Sequence, residues 1–286
     1  MFLNKKGGFQ LLPKVEDPKY IVFCDFDETY YPHSMSHERQ ENIYELENYL
    51  EAKSMDEELV FGWVTGSSIE SILHKMEQGG FRFFPHFIAS DLGTEITYFS
   101  ENNFLESDPD WHSQINIEEF NKGKVDEIYN VLLNGNIPLI PQTQMGSSRY
   151  KRNYYYYQIQ HESVDKKNLA TIQRVAKEYG IGVNINRCNP LAGDPEDSYD
   201  IDFIPLGTGK NEIVRFMLDK FELSREHAFA FGDSGNDLLM LKSVKHGYLV
   251  GNATQEAKEA HTKIATGTYS KGILRTLQSI ITMWEV

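Results

Sequence analysis

Two aspartates, Asp25 and Asp27, follow the apolar run 21–24 and could share the work of one reaction. Carboxylates at the end of a buried strand can divide that work, since one can attack the substrate while the other moves protons. A second acidic cluster, residues 232–237, follows a second apolar run, residues 228–231. The repeated pattern favours a catalytic function for both clusters over a solvated turn or a calcium loop.

Asp25 is the candidate nucleophile, and phosphoryl transfer is a reaction that such a carboxylate performs. A phosphate ester is anionic, so carboxylates beside it repel it unless a cation intervenes. Mg²⁺ takes hard oxygen ligands and can bridge carboxylate and phosphate. We expect the side chains of Asp25 and Asp233 and the main-chain carbonyl of Asp27 to bind Mg²⁺. The Asp27 side chain then remains available as general acid and base.

The net charge of the chain is −14, so an anionic phosphate can bind only where local positive charge and hydrogen-bond donors offset that charge. Thr65 closes the apolar run 61–64 and precedes Gly66. The Thr65 hydroxyl and the following N–H groups can donate to phosphate oxygens.

Lys210 opens a predicted helix after the turn 205–209, where a lysine can act as the point charge of a phosphate clamp. Asn236 is a further candidate for phosphate binding. Asp237 is expected to hold the loop and Lys210 from behind rather than to touch the substrate.

Together these four elements resemble the haloacid dehalogenase-like phosphatases. They are Asp25, Thr65, Lys210 and Asp233, in the order of the family pattern. The resemblance implies that they meet at the carboxyl edge of one parallel sheet. The long segment between Thr65 and Lys210 is similar in placement to the C2-type cap of the Cof-like and sucrose-phosphate phosphatase branch. Many relatives carry glycine where Glu28 stands, which leaves the nucleophile assignment intact.

Short apolar runs alternate with amphipathic segments, which predicts βαβ units and a parallel sheet. The predicted strands are 20–25, 60–64, 86–89, 95–99, 228–232 and 247–250. The predicted helices are 37–53, 67–78, 209–221, 236–244, 254–260 and 271–282. The predicted fold is α/β, with a Rossmann-like parallel-sheet hydrolase core over 1–105 and 206–286 and an inserted α+β cap domain over 106–205.

The segment 106–205 is too long for a loop and has elements of its own. Alternation predicts a strand over 154–161, which contains four consecutive tyrosines, and periodicity predicts a helix over 166–179. We expect the tyrosines to serve mainly the core, although alternate ones, like Trp111, can offer a flat surface to a sugar.

Candidate substrate contacts in this segment are polar or charged: Arg149, Lys151, Asn186, Asp194 and Asp200. The basic stretch 149–152 is either a solvated strand end or a cationic patch that attracts a sugar phosphate. Asp194 or Asp200 can pair with the ammonium group of an aminosugar. Nothing in a fold class specifies how hydroxyl groups are recognised.

Composition narrows the class of protein further. With 286 residues, 40% hydrophobic and 24% charged, the chain suits a globular protein without apolar stretches of membrane-spanning length. Its acidic charge argues against nucleic acid or an anionic membrane as partner. The two cysteines cannot form a disulfide framework, and Cys24 is predicted to be a core residue. Because the chain lacks such a framework, we predict a cytoplasmic location. We expect a monomer or weak dimer, and solvated or capping roles for His33 and His37.

The function predicted from the sequence is a Mg²⁺-dependent phosphatase that hydrolyses a sugar 6-phosphate through an aspartyl-phosphate intermediate. A sugar phosphatase of the sucrose-phosphate type and a phosphomutase of the same architecture are alternatives. A regulatory protein that binds a sugar phosphate without hydrolysing it is the alternative from another class.

Overall fold

The computed structural model describes residues 8–100, 105–115, 120–143, 148–159, 161–188, 190 and 193–284. The chain divides into two compact units. Unit 1 comprises Met1–Asp108 and Lys210–Val286, and unit 2 comprises Pro109–Gly209.

The described strands and helices follow one another as the alternating sequence pattern suggests. The strands are β1 (Gln10–Leu11), β2 (Tyr20–Cys24), β3 (Leu59–Val64), β4 (Phe83–Phe84), β5 (Phe87–Ser90), β6 (Glu95–Phe99), β7 (Leu105–Ser107), β8 (Ile140–Pro141), β9 (Arg152–Tyr157), β10 (Ile181–Arg187), β11 (Ser198–Pro205), β12 (Ala228–Gly232) and β13 (His246–Leu249). The helices are α1 (His37–Met55), α2 (Ile69–Gly79), α3 (Pro109–Gln114), α4 (Lys122–Asn134), α5 (Glu162–Glu178), α6 (Lys210–Lys220), α7 (Leu238–Ser243), α8 (Gln255–Ala260) and α9 (Tyr269–Trp284).

Unit 1 is built on a seven-stranded sheet in the order β13-β12-β2-β3-β5-β6-β7. The five strands from β13 to β5 are parallel, whereas β6 and β7 are antiparallel to their neighbours. Every residue of β2, β3 and β12 is buried. Continuous apolar runs of this kind are typical of parallel strands that are covered on both faces.

Helices α1, α2 and α9 contribute to one apolar cluster with alternate residues of the sheet. The sheet residues of this cluster include Val22, Cys24, Phe61, Trp63 and Phe231. Cys24 is fully buried, as predicted for a core residue. Burial of such side chains is the main stabilising contribution to a sheet that carries functional residues at its edge.

Helix α7 contacts strands β12 and β13. The approach is close, because a Cβ added to Gly247 would lie 2.0 Å from the main-chain oxygen of Leu241. Only glycine fits between this strand and the helix. The contact fixes the helix that begins directly after the second acidic cluster.

Unit 2 contains a four-stranded antiparallel sheet in the order β10-β11-β9-β8. One face of this sheet carries Tyr154, Tyr156, Ile201 and Phe203, which pack with apolar residues of α4 and α5. Residues at the alternate positions are polar and include Asn153, Tyr155, Asn184, Asn186, Asp200 and Asp202. The tyrosine run therefore divides as expected, with alternate rings in the core.

The predicted strands and helices of unit 1 are confirmed to within a few residues. The sheet is not parallel throughout, because β5 and β6 form an antiparallel pair joined by a tight turn. In that turn Asp91, Leu92 and Gly93 all have positive φ, which the sequence pattern did not reveal. Trp111 is buried, so its predicted use as a sugar surface is wrong. Within the described residues, every helix is too short or too polar to cross a lipid bilayer.

Candidate active site

The carboxyl ends of three neighbouring strands bring the sequence-predicted residues together. Asp25 follows β2, Thr65 follows β3 and Asp233 follows β12. Because β12, β2 and β3 are adjacent and parallel, their carboxyl ends meet at one edge of the sheet. Main-chain hydrogen bonds continue the strand pairing into the site, since Asp25 N donates to Phe231 O at 2.9 Å.

Lys210, at the start of α6, is the cation of this site. Its Nζ donates to Asp25 Oδ1 and to Asp237 Oδ1, both at 2.7 Å, and to Asn236 Oδ1 at 3.3 Å. The side chain is only 3% exposed. Burial acts to lower the pKa of Lys210, but the charges of Asp237 and Asp25 outweigh it and raise that pKa. The lysine is therefore a fixed positive charge.

Three buried carboxylates surround the lysine. One oxygen from each of Asp25, Asp233 and Asp237 lies within 4.8 Å of the others, and each residue is at most 5% exposed. Burial raises the pKa of Asp25 to about 7 and that of Asp233 well above its ordinary value. The three carboxyl groups form a cluster of hard oxygens, and burial favours protons on Asp25 and Asp233 unless a cation takes their place. This donor set fits a divalent cation of the Mg²⁺ type.

Asp237 also shapes the loop that carries Asp233. Its Oδ2 accepts hydrogen bonds from the main-chain N–H groups of Asp233 at 3.0 Å and Ser234 at 3.1 Å. Thr29 Oγ1 donates to Asp233 Oδ1 at 3.0 Å from the segment that follows Asp27. These contacts hold the Asp233 side chain toward Asp25.

Asp27 lies beside this cluster but has different partners. Its Oδ1 accepts from Lys75 Nζ at 2.5 Å and bonds to His33 Nε2 at 2.9 Å. Its Oδ2 accepts from Ser67 Oγ at 2.6 Å. Burial acts to raise the pKa of Asp27, but the hydrogen bonds from His33, Lys75 and Ser67, with the charge of Lys75, hold that pKa well below its usual range.

The loop after β3 is held from two sides. Thr65 is 1% exposed, and its Oγ1 accepts from Ser67 N at 3.1 Å. Asp91 N donates to Ser67 O at 3.0 Å and Leu92 N donates to Thr65 O at 2.8 Å. The left-handed turn after β5 thus supports the main chain on either side of Gly66.

The family model for sucrose-6F-phosphate phosphohydrolase matches residues 18–279 of this chain. The chain belongs to this family. It is 64% identical to kanosamine-6-phosphate phosphatase of Bacillus subtilis (strain 168). The alignment spans 282 residues, which is 98% of this chain and 99% of the relative. An uncharacterized hydrolase of Staphylococcus aureus is 31% identical over 256 residues, 89% of this chain and 94% of that relative.

Solved structures agree with this assignment. A haloacid dehalogenase-like hydrolase of Bacillus subtilis matches with a TM-score of 0.74 at 62% identity, covering 96% of this chain and 95% of that one. The sucrose-phosphatase of Synechocystis, solved with sucrose and phosphate, matches with a TM-score of 0.70 at 18% identity, covering 92% of this chain and 98% of that one. The first supports a hydrolase and the second shows the same fold. The chain is a phosphatase with a haloacid dehalogenase-like fold, a class that generally uses a divalent metal.

In unit 2 of the phosphatase, three of the predicted substrate residues lie in one polar region. Asp200 Oδ1 accepts from Gln142 Nε2 at 2.8 Å, and Asn186 is its register partner on β10. Asp194 Oδ1 accepts from Tyr155 OH at 3.4 Å. Burial raises the pKa of Asp200 to about 7, with smaller contributions from the charges of two neighbouring carboxylates.

The two predicted basic contacts differ from each other. Arg149 is exposed, and its guanidinium lies 5.1 Å from the ring centroid of Tyr150. Lys151 is buried, and its charge lowers the pKa of Asp202, although burial raises that pKa overall. Arg149 is thus a surface cation, whereas Lys151 balances a carboxylate of the polar sheet face.

Sequence reasoning missed the partners of Asp27. His33 is exposed, as a solvated role predicts, but its ring also contacts Asp27, which the sequence did not indicate. His37 is mostly exposed, as predicted. Ser67 could have been proposed as a site residue, because it stands two positions after Thr65. Lys75 could not, because it lies on an amphipathic helix, where most lysines face solvent.

Glu28 occupies a left-handed conformation, with φ of 56°. Glycine adopts this conformation at no steric cost, which explains why glycine suits the position. Here the side chain is anchored instead: Glu28 Oε2 accepts from Tyr269 OH at 3.0 Å and Oε1 accepts from His33 N at 2.8 Å. Asn252 Nδ2 also donates to Glu28 O at 2.6 Å. These contacts hold the turn after Asp27.

Proposed function

We propose that this phosphatase hydrolyses a sugar 6-phosphate, with kanosamine 6-phosphate as its substrate and Mg²⁺ as its metal. The observation that carries the proposal is the buried ammonium group of Lys210 beside Asp25 and Asp237. Such an arrangement places one fixed positive charge next to a candidate nucleophile. The relative at 64% identity supplies the choice of sugar.

In the first step, Asp25 attacks phosphorus and forms a bond between its carboxylate oxygen and the phosphoryl group. The bond between phosphorus and the sugar oxygen breaks, and that oxygen takes a proton from Asp27, which is ionised in the free enzyme and takes up a proton from solvent when the anionic phosphate binds beside it. Lys210 and the donors at Thr65 and Gly66 stabilise the charge on the phosphoryl oxygens. Asn236 holds Lys210 and can contribute a further donor through its amide group.

In the second step, Asp27 removes a proton from water as that water attacks phosphorus. The bond between Asp25 and phosphorus breaks, and inorganic phosphate leaves with both aspartates restored. Asp237 positions Lys210 throughout.

Asp25 and Asp233 would hold Mg²⁺ with their side chains, and Asp27 with its main-chain carbonyl. The ion would neutralise the phosphate and the carboxylates around it and polarise the phosphoryl group. The cluster of carboxylate oxygens from Asp25, Asp233 and Asp237, which lie within 4.8 Å of one another, supports this assignment.

Replacing Asp25 with asparagine tests the nucleophile. We expect Asp25→Asn to abolish phosphate release and to retain the fold, because asparagine matches the shape of the protonated carboxyl group that burial favours. Phosphate release should be measured with Mg²⁺ and with EDTA, and the fold by circular dichroism. Hydrolysis by a folded Asp25→Asn variant contradicts the proposed mechanism.

Sugar recognition is assigned to unit 2, the segment that we propose to be a C2-type cap. Kanosamine is an aminosugar and carries an ammonium group, and Asp194 and Asp200 provide carboxylates on the polar side of that unit. Asn186 can bond to sugar hydroxyl groups, and the exposed Arg149 can attract an anionic substrate to this unit, whereas the buried Lys151 balances Asp202.

A screen of phosphate release over sugar and aminosugar phosphates tests the substrate. We expect kanosamine 6-phosphate to be cleaved faster than glucose 6-phosphate, and Asp200→Asn to reduce the difference. Equal cleavage of the two sugars by the wild-type enzyme rejects the ammonium pairing. Sugar isomerisation with little phosphate release would identify a mutase instead. The predicted cytoplasmic location, weak or absent oligomerisation and lack of nucleic-acid or membrane partners stay predictions.

A further inference from the structure

We propose that Lys75 and Ser67 are positioning residues that fix the Asp27 carboxylate for proton transfer to the departing sugar oxygen. The inference rests on the proposed function, in which Asp27 is the general acid and base. Neither residue belongs to the four elements that resemble the family, and neither contacts Asp25 or Lys210 in the hydrogen bonds of the described residues.

The contacts reach both oxygens of the carboxylate. Lys75 Nζ lies 2.5 Å from Asp27 Oδ1, and Ser67 Oγ lies 2.6 Å from Asp27 Oδ2. Lys75 Nζ also lies 3.4 Å from Ser67 Oγ, so the three side chains form a closed set. An aspartate held at one oxygen can still turn about its terminal bond. Held at both, it has one orientation.

The two donors belong to elements that are themselves fixed. Ser67 N donates to Thr65 Oγ1 at 3.1 Å, which ties the serine to the predicted phosphate-binding loop. Ser68 caps α2 by accepting from Ser71 N at 3.3 Å, and Lys75 lies farther along that helix. The carboxylate is therefore positioned relative to the phosphate-binding loop and not only relative to its own strand.

The ion pair differs from an ordinary surface pair. Exposed ion pairs typically contribute about 0–1 kcal/mol because water screens them and the side chains remain free to move. The Lys75 and Asp27 side chains are only 22% and 23% exposed. A carboxylate offers about four lone-pair sites, so the contacts from Lys75, Ser67 and His33 fix the orientation of Asp27 and leave one site for the exchange of a proton with the substrate or water.

Leaving-group chemistry separates positioning from general structural support. A sugar alkoxide is a strong base and leaves only when it receives a proton, whereas p-nitrophenolate leaves without one. General acid catalysis contributes about 10²–10⁴-fold to the rate when a proton is required. Misplacement of Asp27 should therefore slow the cleavage of a sugar phosphate and spare p-nitrophenyl phosphate.

The experiment compares kcat and KM of the full-length enzyme for both substrates after Lys75→Met. We expect kcat for the sugar 6-phosphate to fall about 10–100-fold, a part of the general-acid contribution, with KM little changed. We expect kcat for p-nitrophenyl phosphate to fall by less than about threefold, since that step needs little general acid catalysis. Lys75→Arg, which keeps a cationic donor, should recover part of the loss.

Lys53→Met is the matched control, because Lys53 forms a similarly buried ion pair with Glu58 at 2.7 Å before β3, away from the carboxyl ends of the strands. It should leave both substrates unaffected. If Lys75→Met does not fold, Ser67→Ala removes the other donor and should show the same bias toward the sugar phosphate. Equal loss on both substrates, or no loss on either, overturns the positioning role.

Asp27→Asn, measured in parallel, distinguishes this proposal from the proposed function. If Asp27→Asn shows the leaving-group bias and the folded Lys75 and Ser67 variants do not, the positioning role alone is wrong. If Asp27→Asn itself shows no bias, then Asp27 is not the general acid and the proposed mechanism fails with it.

Discussion

Removal of the Lys210 ammonium group should destabilise unit 1 strongly in the absence of metal. Lys210 Nζ lies 2.7 Å from both Asp25 and Asp237, and all three side chains are almost fully buried. With the Asp25, Asp233 and Asp237 carboxylates all ionised, as metal binding requires, the formal charge of the cluster would change from −2 to −3 in Lys210→Met. Removing one partner of a buried pair typically costs about 3–5 kcal/mol, because the remaining charge stays desolvated.

Mg²⁺ should reverse much of that loss. A ligand that binds only the native state stabilises it according to its concentration and affinity, and a more negative cluster binds a divalent cation more tightly. We therefore expect a larger gain in the free energy of unfolding on Mg²⁺ addition for Lys210→Met than for the wild type. Activity should remain low, since loss of one stabilising group costs about 10²–10³-fold in kcat.

The assay is urea unfolding with EDTA or Mg²⁺, combined with amide hydrogen exchange in β2 and β12. Exchange in these strands reports on unit 1 alone, which matters because the chain has two units. Lys245→Met is the control, since Lys245 pairs with Glu226 on the surface and should contribute little. A Lys210→Met variant as stable as the wild type in EDTA, or one that gains no more from Mg²⁺, refutes the reasoning.

Two further predictions concern packing and pH. Gly247→Ala should lower the free energy of unfolding by about 1–3 kcal/mol, because the new Cβ would clash with the main chain of Leu241 and neither backbone can move freely. Urea unfolding measures this loss, and Gly8→Ala is the control, since a Cβ at Gly8 would meet no atom within 4 Å. The pKa of Asp200 is raised from 3.8 to about 7, so the folded state keeps a proton that the unfolded chain releases. The stability of unit 2 should therefore fall as pH rises from 3.8 to about 7. In Asp200→Asn, the stability of unit 2 should depend less on pH over this range, as measured by hydrogen exchange at a series of pH values. The same pH dependence in the variant as in the wild type would contradict this prediction.

The four family elements could be predicted because each one has a short-range signal. Asp25, Thr65 and Asp233 stand directly after apolar runs, and parallel pairing of those strands places them together without further information. Lys210 follows a glycine-containing turn at the start of a helix. Local pattern and strand pairing were sufficient for this half of the site.

The contacts of Asp27 depended on tertiary packing instead. Lys75 reaches Asp27 only because α2 packs on the sheet with that face turned toward the strand ends. A helical lysine is usually solvated, so nothing in the sequence pattern singled out Lys75 as a contact of Asp27. The antiparallel pairing of β5 and β6 was missed for a related reason, since Leu92 adopts a left-handed conformation that a leucine rarely takes.

The central pairing of β2 with β12 has a consequence for how the protein is made. Thr29 and Asp233 are 204 positions apart in the chain, and Asp25 and Lys210 are 185 apart. During synthesis, β2 and β3 leave the ribosome long before β12 exists, whereas unit 2 is complete once Gly209 has emerged. The hydrolytic centre is thus assembled last, and a chain that ends before Ala228 lacks Asp233 and with it any complete carboxylate cluster.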